Sequence, residues 1–116
     1  MRDADYDLIK LDVTRAGVAI VTLHRPDVHN AFNAELIAEL TDAFAMIADQ
    51  PGIRMMILRG EGKSFSAGAD LEWMKLAATH TRDDNETDAL RLAEMLLRLY
   101  EMPQMTLALV QGAAMG

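Results

Sequence analysis

The run Phe65-Ser66-Ala67-Gly68-Ala69-Asp70-Leu71 is where this sequence could do chemistry. It follows the apolar stretch Ile53 to Leu58 and precedes a short helical pattern, so it reads as strand, glycine-containing loop and helix start. A helix start leaves backbone N–H groups without intrahelical partners at the positive end of the dipole, a place suited to an anion or a developing oxyanion. No side chain in the run is a nucleophile set beside a base. The chemistry on offer is therefore main-chain electrostatics. Taken alone, Gly68 would only relax the backbone between strand and helix, and Asp70 would be a first-turn acid complementing the dipole.

Other chemistries find less support. The chain has no cysteine, which excludes disulfides, thiolate metal sites and cysteine nucleophiles. His24, His29 and His80 offer no pair at helical i, i+4 spacing with a third ligand nearby, so no metal site is read from them. The net charge of −7, with Lys and Arg scattered along the chain, lacks the basic stripe that a nucleic-acid partner requires. Nine methionines, and Trp73 and Met74 with them, read as packing residues, the alternative for Trp73 and Met74 being to shape an acyl pocket. The acids Asp83, Asp84, Glu86 and Asp88 read as a solvated helix start.

The elements that must position the loop are legible from periodicity. Leu8 to Val13 alternates apolar and polar, Val18 to Leu23 is apolar and β-branched, and Arg15-Ala16-Gly17 between them makes a hairpin. His24-Arg25-Pro26-Asp27 breaks the second strand. Asn33 then reads as an N-cap, and Leu36, Ile37, Leu40, Phe44 and Ile47 recur at helical spacing until Pro51-Gly52. Ile53 to Leu58 reads as a strand covered on both faces. Beyond the loop, Leu71, Trp73, Met74 and Leu76 suit a short helix, and Thr79 to Asn85 a mobile polar connector. A second long helix shows Leu90, Ala93, Leu96 or Leu97, and Tyr100 on one face and ends at Pro103, before a buried strand, Thr106 to Val110.

These 116 residues, half of them hydrophobic, make one small domain with a core. Strand, helix, strand, helix, strand is a parallel α/β order whose sheet needs helices on its faces, and a glycine turn just past the last strand leaves that strand half covered. The expectation is a fragment. The acidic start, Met-Arg-Asp-Ala-Asp-Tyr, has no signal-peptide core, and no apolar run approaches the ~20 residues of a membrane helix, so a cytoplasmic protein with no membrane partner is expected.

Three segments together, Arg25-Pro26-Asp27-Val28-His29-Asn30-Ala31, Phe65 to Leu71, and Val110-Gln111-Gly112-Ala113-Ala114-Met115-Gly116, resemble the enoyl-CoA hydratase/isomerase (crotonase) superfamily. The likeness covers residues 1–116 in order, as the N-terminal part of a crotonase-like domain. Within the superfamily, Ala69 to Met74 and the Val110 to Ala114 ending look most like bacterial methylglutaconyl-CoA hydratases of leucine breakdown and related branched-acyl hydratases. The resemblance implies an α/β fold of turns, each two strands and a helix, wound as a right-handed spiral and assembled as homotrimers or hexamers.

It also implies an acyl-CoA thioester as ligand, with no cofactor other than the coenzyme A of the substrate, and no metal. By match to the family loop, the N–H of Ala69 would be the first oxyanion donor, Ala67, Gly68, Asp70 and Leu71 would line the CoA cleft, and Val28 and Ala31 would lie on the pantetheine or adenine side. The family's second donor follows the glycine that matches Gly116, and its acid/base glutamates come later still, so none is assigned here. Glu72 stands where some hydratases have a CoA-contacting lysine. Hydration of a 2-enoyl-CoA is the leading reading. Isomerases, thioester hydrolases, decarboxylases and dehalogenases use the same hole, a non-catalytic acyl-CoA-binding subunit would keep the fold alone, and a nucleotide-binding α/β domain is disfavoured because no phosphate-loop glycine pattern follows a strand.

Overall fold

The computed structural model describes residues 6–79 and 81–112; His80 and the Ala113 to Gly116 end of the third segment lie outside them. The chain opens with the expected hairpin, β1 (Ile9–Val13) paired antiparallel with β2 (Val18–Leu23). Asn33 then caps α1 (Ala34–Ala48), its side chain accepting from the Leu36 N–H at 2.9 Å. The chain returns as β3 (Met55–Gly60), parallel to β2. After the loop come α2 (Leu71–Ala77), α3 (Arg82–Tyr100) and β4 (Met105–Leu109), the last parallel to β3. The sheet order is β1-β2-β3-β4, so each parallel neighbour is reached over a helical crossover.

The core lies between one sheet face and α1. Leu36, Ile37, Leu40, Ala43, Phe44 and Ile47 meet Ile9, Ala19, Val21, Leu23 and Met56, all at most 2% exposed. Each large apolar side chain buried this way contributes about 1.5–3 kcal/mol, enough to fix α1 against β2 and hence the turn between them.

Three expectations are corrected. β3 is not covered on both faces: Met56 is buried, but Met55, Ile57 and Leu58 are half-buried and Arg59 is exposed. β4 is exposed along its whole length, because among the described residues it has a neighbour strand on one edge and no helix over it. On α3, Leu90, Leu96, Leu97 and Tyr100 are exposed, and Leu92, Met95 and Leu99 face the core instead. Both stripes have helical spacing, and α1 covers one of them. Thr81 caps α3 by accepting from the Asp84 N–H at 3.2 Å, so residues 82–85 form the first turn of that helix.

Candidate active site

The end of β2 builds the first wall of the site. Pro26 opens a short 3-10 turn, Pro26–Val28, after which His29 (φ 52°) and Asn30 (φ 56°) are both left-handed. Two successive non-glycine residues in that region cost about 1–2 kcal/mol each, so the surroundings must hold them there. Asn30 is fully buried and all of its side chain's polar atoms are used. Its Oδ1 accepts from the Arg25 N–H at 2.8 Å, and its Nδ2 donates to the carbonyls of Glu61 and Ser64, both at 2.9 Å.

The turn shapes the loop that follows β3. Ala67 N–H donates to His29 O at 2.8 Å, and the Ser66 hydroxyl donates to Asn30 O at 3.0 Å while accepting from Gly68 N–H at 3.1 Å. Gly60 allows the strand end to touch this loop, since a Cβ there would stand 2.5 Å from Phe65 O. The third segment joins through Gln111. Its carbonyl accepts from Phe65 N–H at 2.8 Å and its side-chain amide donates to the carbonyls of Gly60 and Gly62. All three segments singled out in the sequence therefore converge on residues 60–70.

Ala69 sits at the centre of the arrangement. It forms an isolated parallel bridge with Phe32, in which Phe32 N–H donates to Gly68 O and Phe32 O accepts from Asp70 N–H, both at 2.6 Å. In a parallel pairing, the residue that bonds to both neighbours of its partner leaves the partner's own N–H and C=O facing the other way. The Ala69 N–H accordingly has no hydrogen-bond partner among the described residues, whereas those of Ala67, Gly68 and Asp70 all do. Ala69 is also exposed. Gly68, at φ 87°, supplies the left-handed step that delivers the chain into the bridge.

Asp70 is the N-cap of α2 and not a first-turn acid: its Oδ1 accepts from the Trp73 N–H at 3.0 Å. The helix starts one residue later than the sequence suggests, because an extended Asp70 carboxylate can reach back to the N3 amide. The unpaired donor thus belongs to a bridge residue just ahead of the helix. The other oxygen of Asp70 pairs with Arg25 Nη2 at 3.0 Å, and Arg25 Nη1 donates to Ala31 O at 2.5 Å. The Trp73 N–H, and after it Arg25, hold the Asp70 carboxyl below the usual carboxylate range, against an opposing contribution from desolvation.

The remaining expected residues fall around this point. Ala67, Gly68 and Leu71 flank the Ala69–Asp70 pair in the loop, Leu71 being 62% exposed, and Val28 stands exposed at the end of the 3-10 turn. Ala31 is buried, and its carbonyl is taken by Arg25. Glu72 points to solvent near Lys75. The sequence reading missed the four residues that hold the site together, Arg25, Asn30, Ser66 and Gln111. All four lie in the quoted segments, and an unexplained Asn in a turn that does not need solubility was the available signal.

The histidines take other partners. His24 Nδ1 contacts the Glu61 carboxylate, and His29 Nδ1 lies 3.3 Å from the Ser64 hydroxyl. Among the described residues one acidic trio, Asp7, Glu35 and Glu39, brings its oxygens within 4.8 Å. Glu39 there already accepts the backbone N–H groups of Asp7 and Leu8, which makes it a cap on the start of β1.

A sheet that opens with an antiparallel hairpin and continues through parallel strands over helical crossovers defines a class of α/β fold, and comparison with known proteins identifies it. The enoyl-CoA hydratase/isomerase family model matches residues 13–116, and the chain belongs to that family. It is similar to the Bacillus subtilis protein YhaR, which carries the enoyl-CoA hydratase/isomerase name, at 37% identity over 100 residues, 86% of this chain and 38% of that protein. A crystal structure of an enoyl-CoA hydratase from Shewanella pealeana superposes with a TM-score of 0.90 at 36% identity, covering 93% of this chain and 40% of that one. One of an enoyl-CoA hydratase/isomerase from Xanthobacter autotrophicus gives 0.86 at 30%, covering 93% and 40%. The fold is thus the N-terminal part of the crotonase fold, and the chain spans about two fifths of the length of the relatives it matches. No helix among the described residues is long and apolar enough to cross a membrane.

Proposed function

We propose that the full-length protein carrying this sequence is an enoyl-CoA hydratase in which the Ala69 N–H is one donor of an oxyanion hole. The observation that supports this is that Ala69, an exposed residue, has an N–H with no partner among the described residues, while the N–H groups of Ala67, Gly68 and Asp70 around it are bonded. In the reaction, water adds to the β-carbon of a 2-enoyl thioester, the double-bond electrons move onto the thioester oxygen, and a proton then reaches the α-carbon. Negative charge develops on that oxygen, so a fixed donor aimed there lowers the barrier more than it tightens substrate binding. The second donor and the carboxylates that move protons belong to chain beyond Gly116 in this reading.

The substrate is an acyl-CoA with Val28, Ala31, Ala67, Gly68, Asp70 and Leu71 along its path, and a branched, methylglutaconyl-like acyl group is the finer proposal. The protein would act as a cytoplasmic homotrimer or hexamer without a cofactor of its own. An isomerase or a non-catalytic acyl-CoA-binding subunit would use the same loop. They separate on whether water, a shifted double bond or neither appears in the product.

The test deletes one N–H. Ala69→Pro removes it, and replacing the Gly68–Ala69 amide by an ester, through incorporation of the α-hydroxy analogue of alanine, removes it without constraining φ. Neither change removes a partner from a hydrogen bond seen in the fold, although the ester leaves Gly68 O a weaker acceptor for the Phe32 N–H, which the Ala69→Pro variant controls for. In the full-length enzyme, kcat for 2-enoyl-CoA hydration is expected to fall on the order of 100- to 1000-fold. A folded ester variant with near-normal kcat would show that the loop is a structural turn only.

A further inference from the structure

Resting on that reading, we propose that Arg25 is a positioning residue for the oxyanion donor, its guanidinium stapling the two sides of the Phe32–Ala69 bridge and neutralising the carboxylate next to the donor. The bridge by itself is a slender support, one residue pair and two hydrogen bonds, isolated from the four-stranded sheet. Arg25 reaches across it. One arm of the guanidinium binds Ala31 O, one residue before Phe32, and the other binds Asp70, one residue after Ala69. The Arg25 side chain is 15% exposed and that of Asp70 10%, so the pair works largely out of water. A planar fork holds the two acceptors on separate nitrogens in fixed geometry, Nη1 on Ala31 O and Nη2 on Asp70, whereas a lysine would have to serve both from one nitrogen.

The charge matters as much as the tether. The Asp70 carboxylate follows Ala69 directly in the chain and is held in its ionised form by the Trp73 N–H and Arg25. An uncompensated anion there would oppose negative charge growing on a thioester oxygen bound at the Ala69 N–H. Arg25 cancels it. Loss of the cation should therefore weaken transition-state stabilisation twice, by loosening the bridge and by exposing the oxyanion to a like charge, while leaving most of the substrate's contact surface unchanged.

The experiment uses the full-length enzyme with Arg25→Met, Arg25→Lys, the double variant Arg25→Met/Asp70→Asn, and the Ala69 ester variant as a reference. Arg25→Met is expected to lower kcat on the order of 10- to 100-fold, as small misplacements at reacting centres do. KM should stay within about threefold, since the lost interaction acts in the transition state. The carbonyl stretch of a bound enoyl thioester, read by Raman difference spectroscopy, should move back toward its solution frequency. Arg25→Lys restores the charge without the second arm and should fall between wild type and Arg25→Met. Adding Asp70→Asn should recover part of the kcat lost in Arg25→Met.

A purely structural role predicts a lower melting temperature with an unmoved carbonyl stretch. Arg25→Met with kcat within twofold of wild type, while the ester variant is crippled, overturns the proposal and leaves the oxyanion reading standing. An ester variant with normal kcat overturns that reading, and this proposal with it. If Arg25→Met does not fold, Arg25→Lys decides: unchanged kcat and carbonyl stretch overturn the proposal, and loss of both supports it.

Discussion

Replacing Asn30 with alanine removes a side chain that makes one hydrogen bond within the turn after β2 and two that join this turn to the loop after β3. The Arg25 N–H and the carbonyls of Glu61 and Ser64 lose these partners, at about 1–3 kcal/mol for each group left unsatisfied away from water. Taking the lower bound for each gives about 3 kcal/mol. Alanine is also less at ease than asparagine at φ 56°, which adds roughly 1 kcal/mol. The total, about 4 kcal/mol, is a large share of the 5–15 kcal/mol that holds a typical domain together. Asn30→Gly loses the same bonds without the left-handed strain and should be the milder variant by about 1 kcal/mol. In the full-length protein, at roughly 2–4 °C per kcal/mol, Asn30→Ala should melt about 8–16 °C below wild type, with Asn30→Gly a few degrees above it. Differential scanning calorimetry at matched concentration measures both. An Asn30→Ala protein melting within about 4 °C of wild type would mean the amide does not hold the loop, and the account of how the loop is shaped would be wrong.

Two further outcomes follow from the same geometry. Asp70→Asn keeps an N-cap acceptor and removes the charge, so the variant should be less stable than wild type at neutral pH. Because the folded-state pKa is depressed, the wild-type advantage is fully present above 3.8 and should disappear as the pH falls through the lower folded value, which urea midpoints from pH 7 down to pH 3 would show; a gap that stays constant with pH would contradict it. The 116-residue chain alone should self-associate, since Leu97, Tyr100, Leu107, Leu109 and Val110 are all exposed and β4 offers an open edge. A clean monomer by light scattering, with a sharp cooperative melt, would refute this.

What the sequence revealed were the local features. The β1–β2 hairpin, the Asn33 cap and the apolar stripe of α1 depend on residues within a few positions of one another, and each stands where its pattern places it. The loop was visible as a strand–glycine–helix transition, yet its helix start was set one residue early, since a cap carboxylate and a first-turn carboxylate look alike in sequence. Which face of α3 is buried could not be decided from spacing, because two stripes satisfy it. The cover on β4 depends on what packs over it, which no periodicity encodes. Arg25, Asn30 and Gln111 escaped for the same reason: their partners lie 31 to 51 positions away.

The loop's bonds reach both backward and forward along the chain, and this orders the site in time. Asn30 and Ser64 are separated by 34 positions, so this contact can close once the loop has emerged during synthesis. Gln111 lies 49 and 51 positions beyond the glycine carbonyls it holds, and it is brought to them by β4. The downstream half of the brace must therefore wait until β4 has left the ribosome and paired with β3, after the entropy of closing the longer loop has been overcome. A nascent chain shorter than Gln111 already carries Ala69 but lacks the three hydrogen bonds that Gln111 makes to residues 60–65, so the full bracing of the loop is tied to completion of the sheet.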